Sequence, residues 1–177
     1  MIVRYVSKAV KIPEGVQVSV EGKKVTVKGP AGTLTRAFDS TPVEFRVDGS
    51  QLIVEAHNIK KRDQALVGTT AAHVRNMCQG ALKEYTYRLK MVYAHFPLSV
   101  KVEGETVKIE NFIGERAPRL AAVAKGVRVA VEGEDVVVSG VDKESVSQTA
   151  ANIQKATHIR QYDPRVFSDG IYVYSKE

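Results

Sequence analysis

The side chains able to do chemistry are thinly spread in this sequence, and their spacing sets most reactions aside. His57, His73, His95 and His158 lack the paired spacing of metal ligands, and a single Cys78 cannot complete a zinc site. The glycine turn at residues 29–32 lacks the Lys-Ser/Thr ending of a phosphate loop, and no G-x-S-x-G is present. Several carboxylates gather in turn sequences (Glu103, Glu105, Glu132, Glu134, Asp135), where solvated acids are expected. This inventory predicts no enzyme, no cofactor, no metal and no small-molecule substrate. What remains is cationic. Arg116, Arg119, Lys125 and Arg128 stand together, and Lys155, His158, Arg160 and Arg165 follow or end a helical pattern. Such patches hold phosphate by neutralising it and releasing counterions.

Bulk charge points the other way. The net charge is +6 with a pI near 9.4, a bias toward nucleic acid or an anionic surface. Residues 1–83 carry thirteen Lys/Arg against seven Asp/Glu, whereas residues 84–177 carry thirteen against thirteen. The sum favours the first half as polyanion binder, and the local patches favour the second. With 44% apolar residues the chain can bury a core. It contains no apolar run of the roughly 18–20 residues that span a membrane. The N-terminus does not resemble a signal peptide, and the lone Cys78, on an apolar helix face, suits a reducing compartment. The expectation is a cytosolic protein without membrane association.

The elements that must position these cations follow from one hairpin pattern written four times. In residues 16–27, alternating valines flank Glu21-Gly22-Lys23-Lys24, which pairs Val20 with Val25 and Val18 with Val27 on one face. Glycine first in a two-residue loop is what a type II′ turn requires. The pattern recurs around Gly49, Gly104 and Gly133, with Val47 facing Leu52 and Phe45 facing Val54 in the second copy. Val67, Ala71, Val74, Cys78 and Ala81 then share a helical face, as do Val146, Ala150, Ile153 and Thr157. Thr70-Ala-Ala-His-Val74 and Thr149-Ala-Ala-Asn-Ile153 match in letters. The chain therefore reads as α+β: two tandem duplicated domains, residues 1–82 and 83–177. Each is a mostly antiparallel sheet of two hairpins packed against one helix. No flexible linker joins them, so a nearly fixed orientation is expected.

Local signals refine this plan. Residues 1–13 predict a short lead-in strand centred on Val10 and Ile12. Asn58 is a candidate helix N-cap, which puts Lys60-Lys61-Arg62 in the first helical turn, against the helix dipole. Asp142 is the expected cap of the second helix. Residues 85–93 alternate Tyr85, Tyr87, Leu89, Met91 and Tyr93 with Arg88 and Lys90 on the opposite face. That strand is either an RNA platform or an edge of an ordinary core. The tail carries Phe167, Ile171, Tyr172 and Val173 and must dock, on its own domain or on a partner.

Several stretches resemble a known family, the sixth protein of the large ribosomal subunit. Val27-Lys28-Gly29-Pro30-Ala31-Gly32-Thr33-Leu34 carries the likeness in the first copy. Val92-Tyr93-Ala94-His95-Phe96-Pro97, Asn111-Phe112-Ile113-Gly114-Glu115 and the stretch from Arg165 to Val173 are similar to its archaeal and eukaryotic branch. The absence of a long lysine-rich extension points to the archaeal side. The resemblance implies a non-catalytic constituent of the large subunit that binds large-subunit rRNA through its second domain and tail. It places the protein beside other ribosomal proteins, near the base of the factor-binding stalk, with translation factors nearby. Carried onto this sequence, the implied RNA contacts are Arg116, Arg119, Lys125, Lys155, His158, Arg160 and Arg165, with Phe167 and Tyr172 anchoring the tail. Two alternatives are a single-stranded RNA binder using Tyr85, Tyr87 and Tyr93, and an interaction module that adds a partner strand at a hairpin edge.

Overall fold

Glycine at the first loop position closes all four hairpins, at φ 61° (Gly22), 55° (Gly49), 58° (Gly104) and 62° (Gly133). The second loop residues Lys23, Ser50, Glu105 and Glu134 keep negative φ, the combination a type II′ turn needs. The protein is described by a computed structural model covering residues 2–94, 96–160, 162–163 and 166–177, with backbone alone for Ile2, Val3 and Arg62. The chain divides into two compact units, Met1–Glu84 and Tyr85–Glu177.

The first unit contains β1 (Ile2–Lys11), β2 (Gln17–Glu21), β3 (Lys24–Lys28), β4 (Thr33–Ala37), β5 (Glu44–Asp48), β6 (Gln51–Lys60) and α1 (Gln64–Leu82). Its strands form two antiparallel sheets, β2-β3-β4 and β1-β6-β5. The expected pairs are present: Val20 with Val25, Val18 with Val27, Val47 with Leu52 and Phe45 with Val54. Val25, Val27, Leu52 and Val54 are buried with Val67, Ala71, Val74, Cys78 and Ala81 of α1. Burial pushes the Cys78 thiol pKa up, so it behaves as a small hydrophobe.

The second unit repeats this order and adds a strand. It contains β7 (Tyr85–Val92), β8 (Ser99–Glu103), β9 (Thr106–Glu110), β10 (Arg119–Ala122), β11 (Val127–Glu132), β12 (Asp135–Gly140), α2 (Lys143–Ala156) and β13 (Gly170–Lys176). The sheets are β10-β9-β8 and β11-β12-β7-β13. Leu89, Val107, Ile109, Val136 and Val138 are buried with Val146, Ala150 and Ile153 of α2.

Four local expectations change. The lead-in strand is not short: β1 runs ten residues, because β6 pairs with it from Gln51 to Lys60. Asn58 lies inside β6 at φ 52° and caps nothing. There the buried alternation of Leu52, Val54 and Ala56 slips by one residue to Ile59. The helix begins later, after a 3₁₀ turn at Lys61–Asp63, so the basic run precedes the helix rather than opening it. Finally, β7 is an interior strand flanked by β12 and β13, not an edge. Tyr87, Leu89 and Met91 are buried there, and Tyr87 is therefore lost to base stacking.

Candidate nucleic-acid interface

Four of the predicted basic residues, Arg119, Lys155, His158 and Arg160, gather at the C-terminal end of α2. At the helix start, the Asp142 carboxylate accepts from the backbone N–H groups of Glu144 and Ser145, both at 3.2 Å. At its end, Thr157 Oγ1 donates to the Gln154 carbonyl and accepts from the Ile171 N–H, each at 3.0 Å. The Gln154 side chain accepts from the Val173 N–H at 3.2 Å. These bonds lock β13 to the helix end, so the tail docks on its own unit. Buried Asp169 secures the approach by accepting from the Ala94 N–H at 2.7 Å.

The opposite wall is the loop between β9 and β10. Asn111 and Ile113 both adopt left-handed backbone, at φ 58° and φ 51°, and Asn111 Nδ2 donates to the Pro97 carbonyl at 2.9 Å. For a β-branched residue this conformation costs about 1–3 kcal/mol. The contortion buries Phe112 and brings Ile113 to the surface beside α2. Arg119 then stacks on the Phe112 ring at 4.3 Å. Its guanidinium forks onto Glu115 (2.8 and 2.6 Å), while Nη1 donates to the carbonyls of Ala156 (2.9 Å) and His158 (3.2 Å). The Ala156 carbonyl is a terminal acceptor of α2 and that of His158 lies just beyond the helix, an end where a cation is favoured. The hydrogen bond from Arg119 in turn holds the Glu115 carboxyl below its usual pKa.

Between the two walls runs an open groove of about 460 Å³, lined by Lys155, His158 and Arg160 as well as Arg119. Among the described residues, Lys155 and Arg160 form no ion pair. A narrower cleft of about 90 Å³ on the other side of His158 is lined by Phe167 and Tyr172. The Phe167 ring packs against Tyr162 at 4.9 Å, and the Tyr172 hydroxyl lies 3.3 Å from the Ser168 carbonyl and 3.4 Å from that of Asp169. Both aromatics thus brace the tail. Four of the nine sequence candidates, Arg119, Lys155, His158 and Arg160, share the 460 Å³ groove. Arg119 faces inward as a strut, with four of its five N–H groups already committed. Arg116 and Lys125 are exposed but do not line the groove. Arg165 lies outside the described residues.

Sequence reasoning missed Ile113, Glu115, Leu120, Ile159 and Tyr162 as members of this surface. The Asn111–Glu115 motif stood out only by resemblance, since left-handed isoleucine has no sequence signature. His57 also gains neighbours that chain spacing hides: its ligating nitrogen and the Glu44 and Glu55 carboxylates lie within 4.8 Å of one another across the sheet. That acidic group sits at the surface, and nothing further points to a ligand there.

The sequence model of ribosomal protein L6 matches residues 12–84 and again residues 96–170. The chain belongs to the ribosomal protein L6 family. One family repeat falls in each folded unit, as the duplicated hairpins and helices require. Large ribosomal subunit protein uL6 of Ignicoccus hospitalis is 50% identical over 178 residues, covering 98% of this chain and 96% of that protein. The uL6 proteins of Methanosarcina mazei (43% identical, 99% of both chains) and Aeropyrum pernix (46% identical, 98% and 96%) are similar over the same extent. All three relatives are archaeal, within the archaeal and eukaryotic branch to which the tail and the Asn111–Glu115 motif point.

Proposed function

We propose that this chain binds large-subunit rRNA through the groove at the end of α2, in the domain that begins near residue 83. Its family makes it a structural, non-catalytic constituent of the large ribosomal subunit, in the cytoplasm. The observation that carries the RNA reading is the alignment of Lys155, His158 and Arg160 along one open groove, with Lys155 and Arg160 unpaired among the described residues. Unpaired cations on a rigid helix end neutralise phosphates and fix register without reading sequence. Arg116 and Lys125 are exposed cations of the same unit, and Arg165 enters the proposal through the family resemblance alone. Phe167 and Tyr172 hold that tail in position. The position near the stalk base, with translation factors close by, belongs to this proposal through the family resemblance.

The test is gradient sedimentation of the native protein from a cell extract, with and without ribonuclease. Co-migration with the large subunit that is lost on nuclease treatment is expected. Sedimentation as a small free species in both samples would sink the reading.

A further inference from the structure

Phosphate binding alone leaves half of this groove unexplained. Cations line part of it, but Leu120 stands 60% exposed and Tyr162 51% exposed in the same lining, beside Ile113 and Ile159, which also pack against the core. Leu120 lies outward on β10, between buried Ala121 and the inward-turned Arg119, so no core packing demands an apolar residue there. Ile113 is held at φ 51°, ψ 32° by packing against the core and stays half-buried in the groove lining. Tyr162 is supported on one side by Phe167 at 4.9 Å and keeps half its surface in solvent. The groove volume, about 460 Å³, falls in the range of roughly 300–1,000 Å³ typical of small-ligand sites.

A flat, mostly apolar group with an attached anion satisfies both halves of this lining. Bases stacked inside an A-form duplex cannot enter such a groove, whereas an unpaired base can be splayed out and stacked on an aromatic side chain. Extrusion costs least where the base has no partner. Resting on the RNA-binding reading above, we propose that the groove accepts one unpaired nucleobase of the bound RNA. The base lies against Tyr162, Leu120 and Ile113, and its flanking phosphate is held by Lys155 and Arg160. Specificity for an RNA site then comes from the presence of an unpaired nucleotide in a duplex, with little dependence on which base it is.

The experiment uses the full chain and a short RNA hairpin duplex, with and without one bulged 2-aminopurine. Fluorescence anisotropy gives affinity across a salt series, and 2-aminopurine emission reports stacking. The wild type is expected to bind the bulged RNA about tenfold more tightly, with quenched emission. Tyr162→Ala and Leu120→Ser are expected to reduce that preference to twofold or less and restore emission. Affinity for the plain duplex and salt slope stay as in the wild type, Leu120→Ser also keeps the wild-type melting temperature, and Tyr162→Phe retains both the Phe167 contact and the preference. Equal, salt-dependent binding of both RNAs by the wild type overturns the base site while leaving the phosphate reading intact. A preference that survives both substitutions overturns the placement in this groove. Binding of neither RNA overturns the RNA reading itself.

Discussion

Arg119 and Lys155 line the same groove with opposite duties. The arginine closes the protein on itself, so Arg119→Ala leaves helix carbonyls and a forked carboxylate without their donor. A loss of about 2 kcal/mol in denaturant unfolding is expected, and Arg119→Lys should not rescue it because an ammonium cannot make the fork. Lys155→Ala and Arg160→Ala should change stability by less than about 0.5 kcal/mol, while each lowers the salt slope of RNA binding by about 1. Glu115 adds a pH signature. Its folded-state pKa is depressed, chiefly by the hydrogen bond from Arg119. The bond therefore stabilises the fold above the ordinary glutamate pKa of about 4.3 and is lost as pH falls through the lower folded value. The stability difference between wild type and Glu115→Gln should be present at neutral pH and close in acid. A difference that stays constant down to strong acid would show that the ion pair is not its source.

Corresponding elements of the two units solve one problem in two ways. Both helices end against the loop that follows the first hairpin of their unit. In the first unit the backbone N–H of Ala31 donates to the Ala81 carbonyl at 2.9 Å. Gly29 permits that approach, since a Cβ there would meet the Ala81 oxygen at 2.4 Å. In the second unit the Arg119 side chain, not a backbone N–H, meets the carbonyl at the helix end and at the same time lines the groove. Gly29→Ala should therefore destabilise the protein by about 1–3 kcal/mol in thermal or denaturant unfolding. Asp142→Ala, which removes the N-cap of α2, should cost about 1 kcal/mol in the same measurement. The hairpins and helical faces were legible because their periods of 2 and 3.6 are set by near neighbours. Asn58 has the residue type of a cap, but its neighbours His57 and Ile59 pair with Tyr5 and Val3 of β1, which keeps it inside the strand. The tyrosines of β7 looked like a platform because the strand that covers its other edge, β13, comes from the end of the chain.

For the molecule as a whole, charge total and binding surface part company. The first half carries the excess of +6, yet the unpaired cations beside an apolar groove lie in the balanced second half. A charge-matched comparison separates the two effects. Lys155→Ala with Arg160→Ala should weaken RNA binding far more than Lys24→Ala with Lys28→Ala, although both pairs remove the same charge from exposed positions on β3 or the end of α2. Equal losses would mean that bulk field, not the groove, holds the RNA. The duplication, the four glycine-led hairpins, the buried helix faces and the location of the basic clusters follow from residue order alone. All of these are local periodicities or letter counts. Only the tertiary structure decided that Arg119 is a strut, that β7 is interior and that exposed apolar residues flank the cations. Those outcomes depend on distant contacts, β13 against β7 and Arg119 of β10 against Ala156, 37 residues away, separations over which no local pattern in the chain carries information.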